Sequence, residues 1–235
     1  MSTRLTLDLH VHTNYSHDGR DPIEEIIQSA IAKRLDGIAI CDHDTMDGSY
    51  AARTYVADHN LDLIIIPGIE VTTAQGHLIV LGLEKEITKG LSLAETIRRV
   101  QHEEQEKKRA IVSIAPHPFH PFRHSLGNLC LQPGINAIEV FNSRYLFGVA
   151  NKRAKRTAAR HNITPVAGSD AHSAEFVGLA TVEVAVDSDS AHRSDEDAIV
   201  KRIKEGKVRI TRCERTPFRV YCSQLSKRSA REKPL

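Results

Sequence analysis

LTLDLHVHTNYSHDGRDPIEEIIQSAIAKRLDGIAICDHD, residues 5–44, runs through one strand, a polar loop, one helix and a second strand. Leu5–His12 reads as a buried strand, and Gly37–Asp42 is a second short run of the same kind. Between them Asp21 stands where a helix N-cap belongs, with Pro22 at the first helical position. Ile23, Ile26, Ile27, Ala30 and Ile31 then form one apolar stripe along Pro22–Lys33. A strand that reaches the next strand through a helix is a parallel crossover unit, since parallel neighbours need a dozen or more residues between them.

The alternation continues along the chain. Strands are expected near Leu63–Val71, Leu78–Leu83, Ile111–Ala115, Ala137–Phe141, Thr164–Gly168, Ala180–Val186 and Val208–Arg212, and helices over Ser49–His59, Ser92–Arg109, Gly148–His161 and Ser194–Glu205. No linker rich in Pro, Gly or Ser interrupts them. The pattern therefore predicts one α/β domain, a parallel barrel or wound sheet, over residues 1–213, with 214–235 as a basic, partly disordered extension. One interval breaks the rule: Val71 and His77 are too close for a helical crossover, so the strands flanking them should form a hairpin.

Composition sets further bounds. With 235 residues, 40% of them hydrophobic, the chain can bury a substantial core. No apolar run approaches the roughly 18 to 20 residues of a membrane span, and the N-terminus enters a strand pattern at once, so a cytoplasmic protein without a signal peptide is expected. Cys41, Cys130, Cys213 and Cys222 are scattered without a C-x-x-C pair, which argues against a disulfide framework or zinc knuckle. The net charge of +2 hides an asymmetry, because Lys201–Leu235 holds twelve Lys/Arg against three Asp/Glu. Such a tail is either simply solvated or attracts phosphate-rich partners by its long-range field.

Polar groups accumulate at the strand ends. His10 and His12, two apart on a strand, leave the same face and can close on one ion. Asp42, His43 and Asp44 follow the second strand, Glu70 lies in the third, His77 opens its hairpin partner, His117 follows Ile111–Ala115, and Asp170 and His172 follow Thr164–Gly168. In barrels the reacting groups sit on the rim where the strands end, so these residues should face one cavity. Buried imidazoles and carboxylates are costly unless paired, and divalent cations satisfy many at once. Mixed His and carboxylate ligation suits Zn²⁺, Mn²⁺ or Fe²⁺.

The ordered motifs H-x-H-T-x-Y-S-x-D-G (10–19), D-H-D-T (42–45), P-G-I-E (67–70), His77 before I-V-L-G-L, H-P (117–118) and G-S-D-A-H (168–172) resemble those of the PHP (polymerase and histidinol phosphatase) family of metal-dependent phosphoesterases, from about Leu5 to Val186. The resemblance implies a distorted TIM-like (β/α)7 barrel of the PHP type with two or three divalent ions. It implies that His10, His12, Glu70 and Asp170 hold the first ion, with Glu70 bridging to a second on His77 and His117, and that Asp18, His43 and His172 hold the third. All nine positions carry side chains able to ligate. Cys41 departs from the threonine common before Asp-His in the family. Asp42 and Asp44 are left to orient His43 or to meet the third ion's water shell.

On this reading a hydroxide shared by two ions attacks phosphorus in line. Arg123, six residues past His117, and Arg144, just beyond Ala137–Phe141, are candidates for gripping phosphate, and His120 or His124 for protonating the leaving group. The expected substrate is a phosphate monoester, such as a nucleotide, a nucleic-acid end or another small phosphorylated metabolite. Three rivals remain. A nuclease would cut diesters and could use the basic tail as a strand contact, and an amidohydrolase-type enzyme would want a metal-bridging lysine where Glu70 stands. A non-catalytic module would bind ions without a reactive water.

Overall fold

A computed structural model describes residues 2–187 and 196–218. Nine strands form one sheet: β1 (Ser2–Val11), β2 (Gly37–Ile40), β3 (Ile64–Thr72), β4 (His77–Leu81), β5 (Val112–Ala115), β6 (Ala137–Asn142), β7 (Thr164–Gly168), β8 (Ala180–Asp187) and β9 (Val208–Cys213). Among the described residues five α-helices accompany them: α1 (Ile23–Ala32), α2 (Asp47–Asp58), α3 (Leu93–Lys107), α4 (Val149–His161) and α5 (Glu196–Lys204). The spatial order is β7-β6-β5-β4-β3-β2-β1-β8-β9. The expected hairpin is present, with Thr72 opposite His77 and Gly68 opposite Leu81.

The sheet curls until its ends meet. Val11 bridges Ala171, just past β7, through His12 N–H to Ala171 O at 2.8 Å and Ala171 N–H to His10 O at 3.3 Å. The result is a mixed, nearly closed barrel of the distorted TIM-like kind. The sequence reading placed a single break in the parallel order, and the structure shows a second. Strand β8 is antiparallel to β1 and β9 antiparallel to β8. The cause is the length of the β7–β8 connection, which holds only a three-residue 3-10 turn, Ala174–Phe176, and cannot make a helical crossover. The β5–β6 connection likewise lacks an α-helix among the described residues and carries a long loop with one 3-10 turn, Gly127–Leu131.

Strands buried on both faces explain the near-continuous aliphatic runs. In β3, Ile64 and Ile66 join Leu5, Leu7, Ile79, Leu81, Val112 and Val182 in the central cluster, while Ile65 packs outward with Ile26, Ile27 and Ile38 around α1 and α2. Helix α5 places Ile199, Val200 and Ile203 into the central cluster from the end opposite the β1 C-terminus. A third cluster joins β4 and β6 to α3 and α4 through Val80, Ile97, Val100, Ile138, Ala154 and Ala158.

Helix limits shift by one or two residues from the expected ones. Helix α1 begins at Ile23, because Pro22 occupies the N-cap position with an extended backbone, and Asp21 is not its cap. Asp21 instead accepts from Ala174 N–H at 2.7 Å, tying the β1 loop to the β7–β8 connection. Ser92 caps α3 by accepting from Glu95 N–H, and Lys108, in the left-handed region, ends it before Arg109. The expected start of the last helix, Ser194, and the extension beyond residue 218 lie outside the described residues. Cys41 and Cys130 are buried free thiols and Cys213 is an exposed one. Among the described residues no helix is long and apolar enough to cross a membrane.

Candidate metal centre

The strand ends bring the nine expected ligands together at one mouth of the barrel. His10 and His12 point to the same side of β1, their Nε2 atoms 3.0 Å apart. Glu70, fully buried, stands at the centre. Its Oε2 lies 3.3 Å from both His10 Nε2 and His12 Nε2 and 3.5 Å from His43 Nε2. Its Oε1 lies 3.0 Å from His117 Nε2 and 3.2 Å from His77 Nδ1. One carboxylate therefore turns one oxygen to three imidazoles and the other to two. Asp170 Oδ1 is 3.6 Å from His12 Nε2 and 3.3 Å from His172 Nδ1, and Asp18 Oδ2 is 2.7 Å from His172 Nε2.

These contacts resolve into three overlapping groups of possible ligand atoms, each within 4.8 Å of one another: His12, Asp18, His43 and His172; His10, His12 and Glu70; and His43, Glu70 and His77. His12 and His43 are shared between groups, which the resemblance to the family does not imply. Three buried polar atoms here make no well-aligned hydrogen bond: His43 Nδ1, His77 Nδ1, whose nearest charge is Glu70 Oε1 at 3.2 Å, and Asp170 Oδ1, 3.3 Å from His172 Nδ1. A buried polar atom left without a good hydrogen bond costs up to about 1 to 3 kcal/mol, and a cation held among these side chains would offset that cost. The donor set of imidazoles and carboxylates thus fits divalent metal ions.

The charge states of His43, His172, Glu70 and Asp170 agree with that use, while His10 would release a proton on binding an ion. Burial pushes His43 down to about 4 and His172 to about 3, which leaves neutral rings with lone pairs to donate. Burial opposes ionisation of Glu70, but His43, His10 and hydrogen bonds from His10 and His117 hold it well below the usual carboxylate range. Asp170, also opposed by burial, is held low by Arg123 and His10. His10 is raised despite burial, because Asp170, Glu139 and Glu70 surround it.

Backbone geometry aims the side chains. Asp44 (φ 58°), His117 (φ 30°) and Asp170 (φ 53°) all occupy the left-handed region, where a non-glycine residue costs on the order of 1 to 3 kcal/mol. Gly168 is required for a different reason, since a Cβ there would lie 2.4 Å from His10 Cβ and 2.7 Å from Glu139 Oε1. Asp42 and Asp44 do not orient His43 through their side chains. Asp42 accepts from Thr13 N–H and Thr13 Oγ1–H, both at 2.7 Å, and Asp44 accepts from Thr72 N–H at 2.7 Å. Each fixes a neighbouring loop or strand end.

The three expected catalytic residues also reach the mouth. Arg123 pairs with Asp170 Oδ2. Arg144 Nη1 sits 2.7 Å from both ring nitrogens of His172 and 3.5 Å from Asp170 Oδ1. His120 is farther out, its ring 6.5 Å from that of His117 and packed edge-on to Tyr145 at 4.8 Å. Burial and then Arg123 press its pKa down to about 4.

Sequence reasoning missed Glu139, a buried carboxylate in β6 that contacts His10 Nδ1 at 3.0 Å and accepts from His117 N–H at 2.7 Å and Asn142 Nδ2–H at 2.9 Å. It missed Asn142, which also donates to Asp170 Oδ2 at 2.9 Å. It missed Asp8 as well, raised to about 6 by burial and accepting from the amides of Ser169 and Gly178. The available signal was a carboxylate inside an otherwise apolar strand, as in AIEVFN (137–142) and LDL (7–9).

Comparison with known proteins bears on the same stretch. The PHP domain family matches residues 8–174 and a PHP-associated family matches residues 148–208. An uncharacterised protein of Methanocaldococcus jannaschii is 33% identical over 160 residues, covering 64% of this chain and 89% of that protein. The 5'-3' exoribonuclease Rnm of Escherichia coli is 39% identical over 83 residues, 34% of this chain and 28% of that enzyme. Among solved structures, a two-domain protein of Bacteroides vulgatus containing a predicted PHP-like metal-dependent phosphoesterase superposes with a TM-score of 0.68 at 18% identity, over 90% of this chain and 66% of that one.

Proposed function

The chain belongs to the PHP domain family, and on that premise we propose that it is a metal-dependent phosphoesterase acting on phosphate monoesters. The substrate class is a nucleotide, a nucleic-acid end or another small phosphorylated metabolite. The observation that carries this reading is Glu70, whose two oxygens face two separate sets of imidazoles as a bridging carboxylate would. His10, His12 and Asp170 would hold one ion with Glu70, His77 and His117 a second, and Asp18, His43 and His172 a third. Two or three such ions (Mn²⁺, Zn²⁺ or Fe²⁺), when bound, would acidify a water for attack on phosphorus and neutralise phosphoryl charge.

The chain's own groups do the rest. Arg123 and Arg144, both held against Asp170, offer two guanidinium groups at the rim for the phosphoryl oxygens. Glu139 fixes His10 through Nδ1, which leaves Nε2 directed into the site. Held near 4, His120 is a neutral imidazole at neutral pH while the site is free of substrate. It acts as leaving-group acid only once a phosphate charge beside Arg123 has raised it. The test is metal analysis of the purified protein together with a turnover screen of phosphate monoesters, phosphodiesters and amides. Bound divalent ions and phosphate release from monoesters support the reading. Cleavage of diesters alone selects a nuclease, cleavage of amides an amidohydrolase-type enzyme, and ions without turnover a binding module.

A further inference from the structure

Helix α4 carries a surface that the metal centre does not use. Among its thirteen residues are Lys152, Arg153, Lys155, Arg156 and Arg160, and none is Asp or Glu. All five cations are exposed, and among the described residues none forms an ion pair with a carboxylate. Arg153 is engaged otherwise, lying over the Phe119 ring at 4.1 Å and donating to Asn128 Oδ1 at 3.3 Å. Other charged helices are compensated: Glu95 of α3 pairs with Arg98 at 2.6 Å and Arg99 at 3.0 Å, and Lys204 of α5 pairs with Glu104. On α4 the spacings 152/156, 153/156 and 156/160 place like charges as repelling neighbours.

The position of this charge gives it a meaning. Helix α4 starts directly after the loop that carries Arg144, and the ring beneath Arg153 lies two residues past His117. The cationic stripe therefore begins at the rim of the metal centre and leads away from it for about 20 Å, the length of a thirteen-residue helix. At the same rim Phe147 is 72% exposed and Phe122 is 87% exposed. We propose that the exposed face of α4 is a track for the backbone of a single-stranded nucleic acid whose terminal phosphate enters the metal centre. The proposal rests on the phosphoesterase reading and deepens it to a polymer substrate. Cations beside exposed aromatic rings are the combination that holds single strands, through phosphates and stacked bases. A bilayer surface is disfavoured because Ala150, Ala154 and Ala158, the apolar side of α4, are buried, and beyond Val149 at its start the helix presents no large apolar side chain to insert.

The test is binding of the metal-loaded full chain to a 3'-fluorescein single strand of about twelve nucleotides with a cleavage-resistant phosphorothioate backbone. Anisotropy is read between about 50 and about 200 mM salt. Arg156→Gln with Arg160→Gln is expected to weaken binding roughly tenfold and to lower the slope of log affinity against log salt by about 1.4, while R156K/R160K restores both. Unchanged melting temperatures show that the variants fold. An unaltered affinity and salt slope in R156Q/R160Q overturns the proposal, as does a wild-type chain that binds phosphatidylserine vesicles but not the strand. Failure of the phosphoesterase reading shows separately, as absent turnover of phosphate esters with strand binding intact.

Discussion

At one end of the barrel Ile199, Val200 and Ile203 of α5 fill the interior with aliphatic groups against Leu5, Ile64 and Val112; at the other, five imidazoles surround one buried carboxylate. The backbone repeats this contrast. Seven described non-glycine residues have φ in the left-handed region. Arg34, Asn60, Lys108 and Asn162 are exposed residues at the C-terminal ends of α1, α2, α3 and α4, where such a turn satisfies helix carbonyls at little cost. Asp44, His117 and Asp170 lie at strand ends on the polar mouth, and His117 and Asp170 are buried. The apolar end stabilises the fold, and part of that stability offsets the strained backbone and crowded buried polar groups at the mouth.

The sharpest way to break this division is Glu70→Gln, which removes the charge shared by two imidazole sets; phosphate-ester turnover is expected to fall by about three orders of magnitude or more, read as kcat/KM. At the opposite end Ile203→Ala should cost about 2 to 5 kcal/mol in denaturant unfolding, with kcat at a permissive temperature within about twofold of wild type. A large kcat loss there would show that the two ends are not independent. Glu139→Gln sharpens the contrast from within the mouth, with metal affinity or activity expected to fall about 10- to 100-fold.

The smallest effect concerns pH. In metal-free protein His43 and His172 are held near 4 and near 3, below the 6.5 of a free imidazole, so the unfolded chain takes up these protons first. Their contribution to stability therefore declines as pH falls below 6.5. Asp8, raised to about 6, works the other way as it gains a proton in the folded state. His172→Asn should flatten the fall of the melting temperature below pH 6.5, and an unchanged profile would show that His172 is not buried in its neutral form.

Much of this was legible in the chain because the strands bear local signatures. The Ile-rich run before Glu70 and the short interval from Val71 to His77 specify a hairpin from connection length alone, and the hairpin sets Glu70 diagonally across from His77, within 3.2 Å. The direction of β8 was missed because Ala180–Asp187 looks the same run either way; the signal was the short interval from Gly168 to Ala180, which leaves no room for a helical crossover. Asp21 failed as a cap because the neighbouring Pro22 already supplies the extended backbone at that position, which frees the carboxylate for the amide of Ala174. Glu139 stayed hidden because its partners, His10 and the His117 amide, are 129 and 22 residues away. The pairing of α4's charges was hidden too, since an uncompensated basic face becomes apparent only when neighbouring elements bring no carboxylate to it.

The bridge between Val11 and Ala171 has a consequence for how the chain acquires its ions. It is the seam where first and last parallel strands meet, and His10, His12, Asp170 and His172 stand on either side of it. Any cation held by both sides acts as a clasp, so loading and seam closure reinforce each other by linkage. The amides of His12 and Ala171 should therefore exchange with deuterium more slowly once ions are bound, even though neither amide touches one.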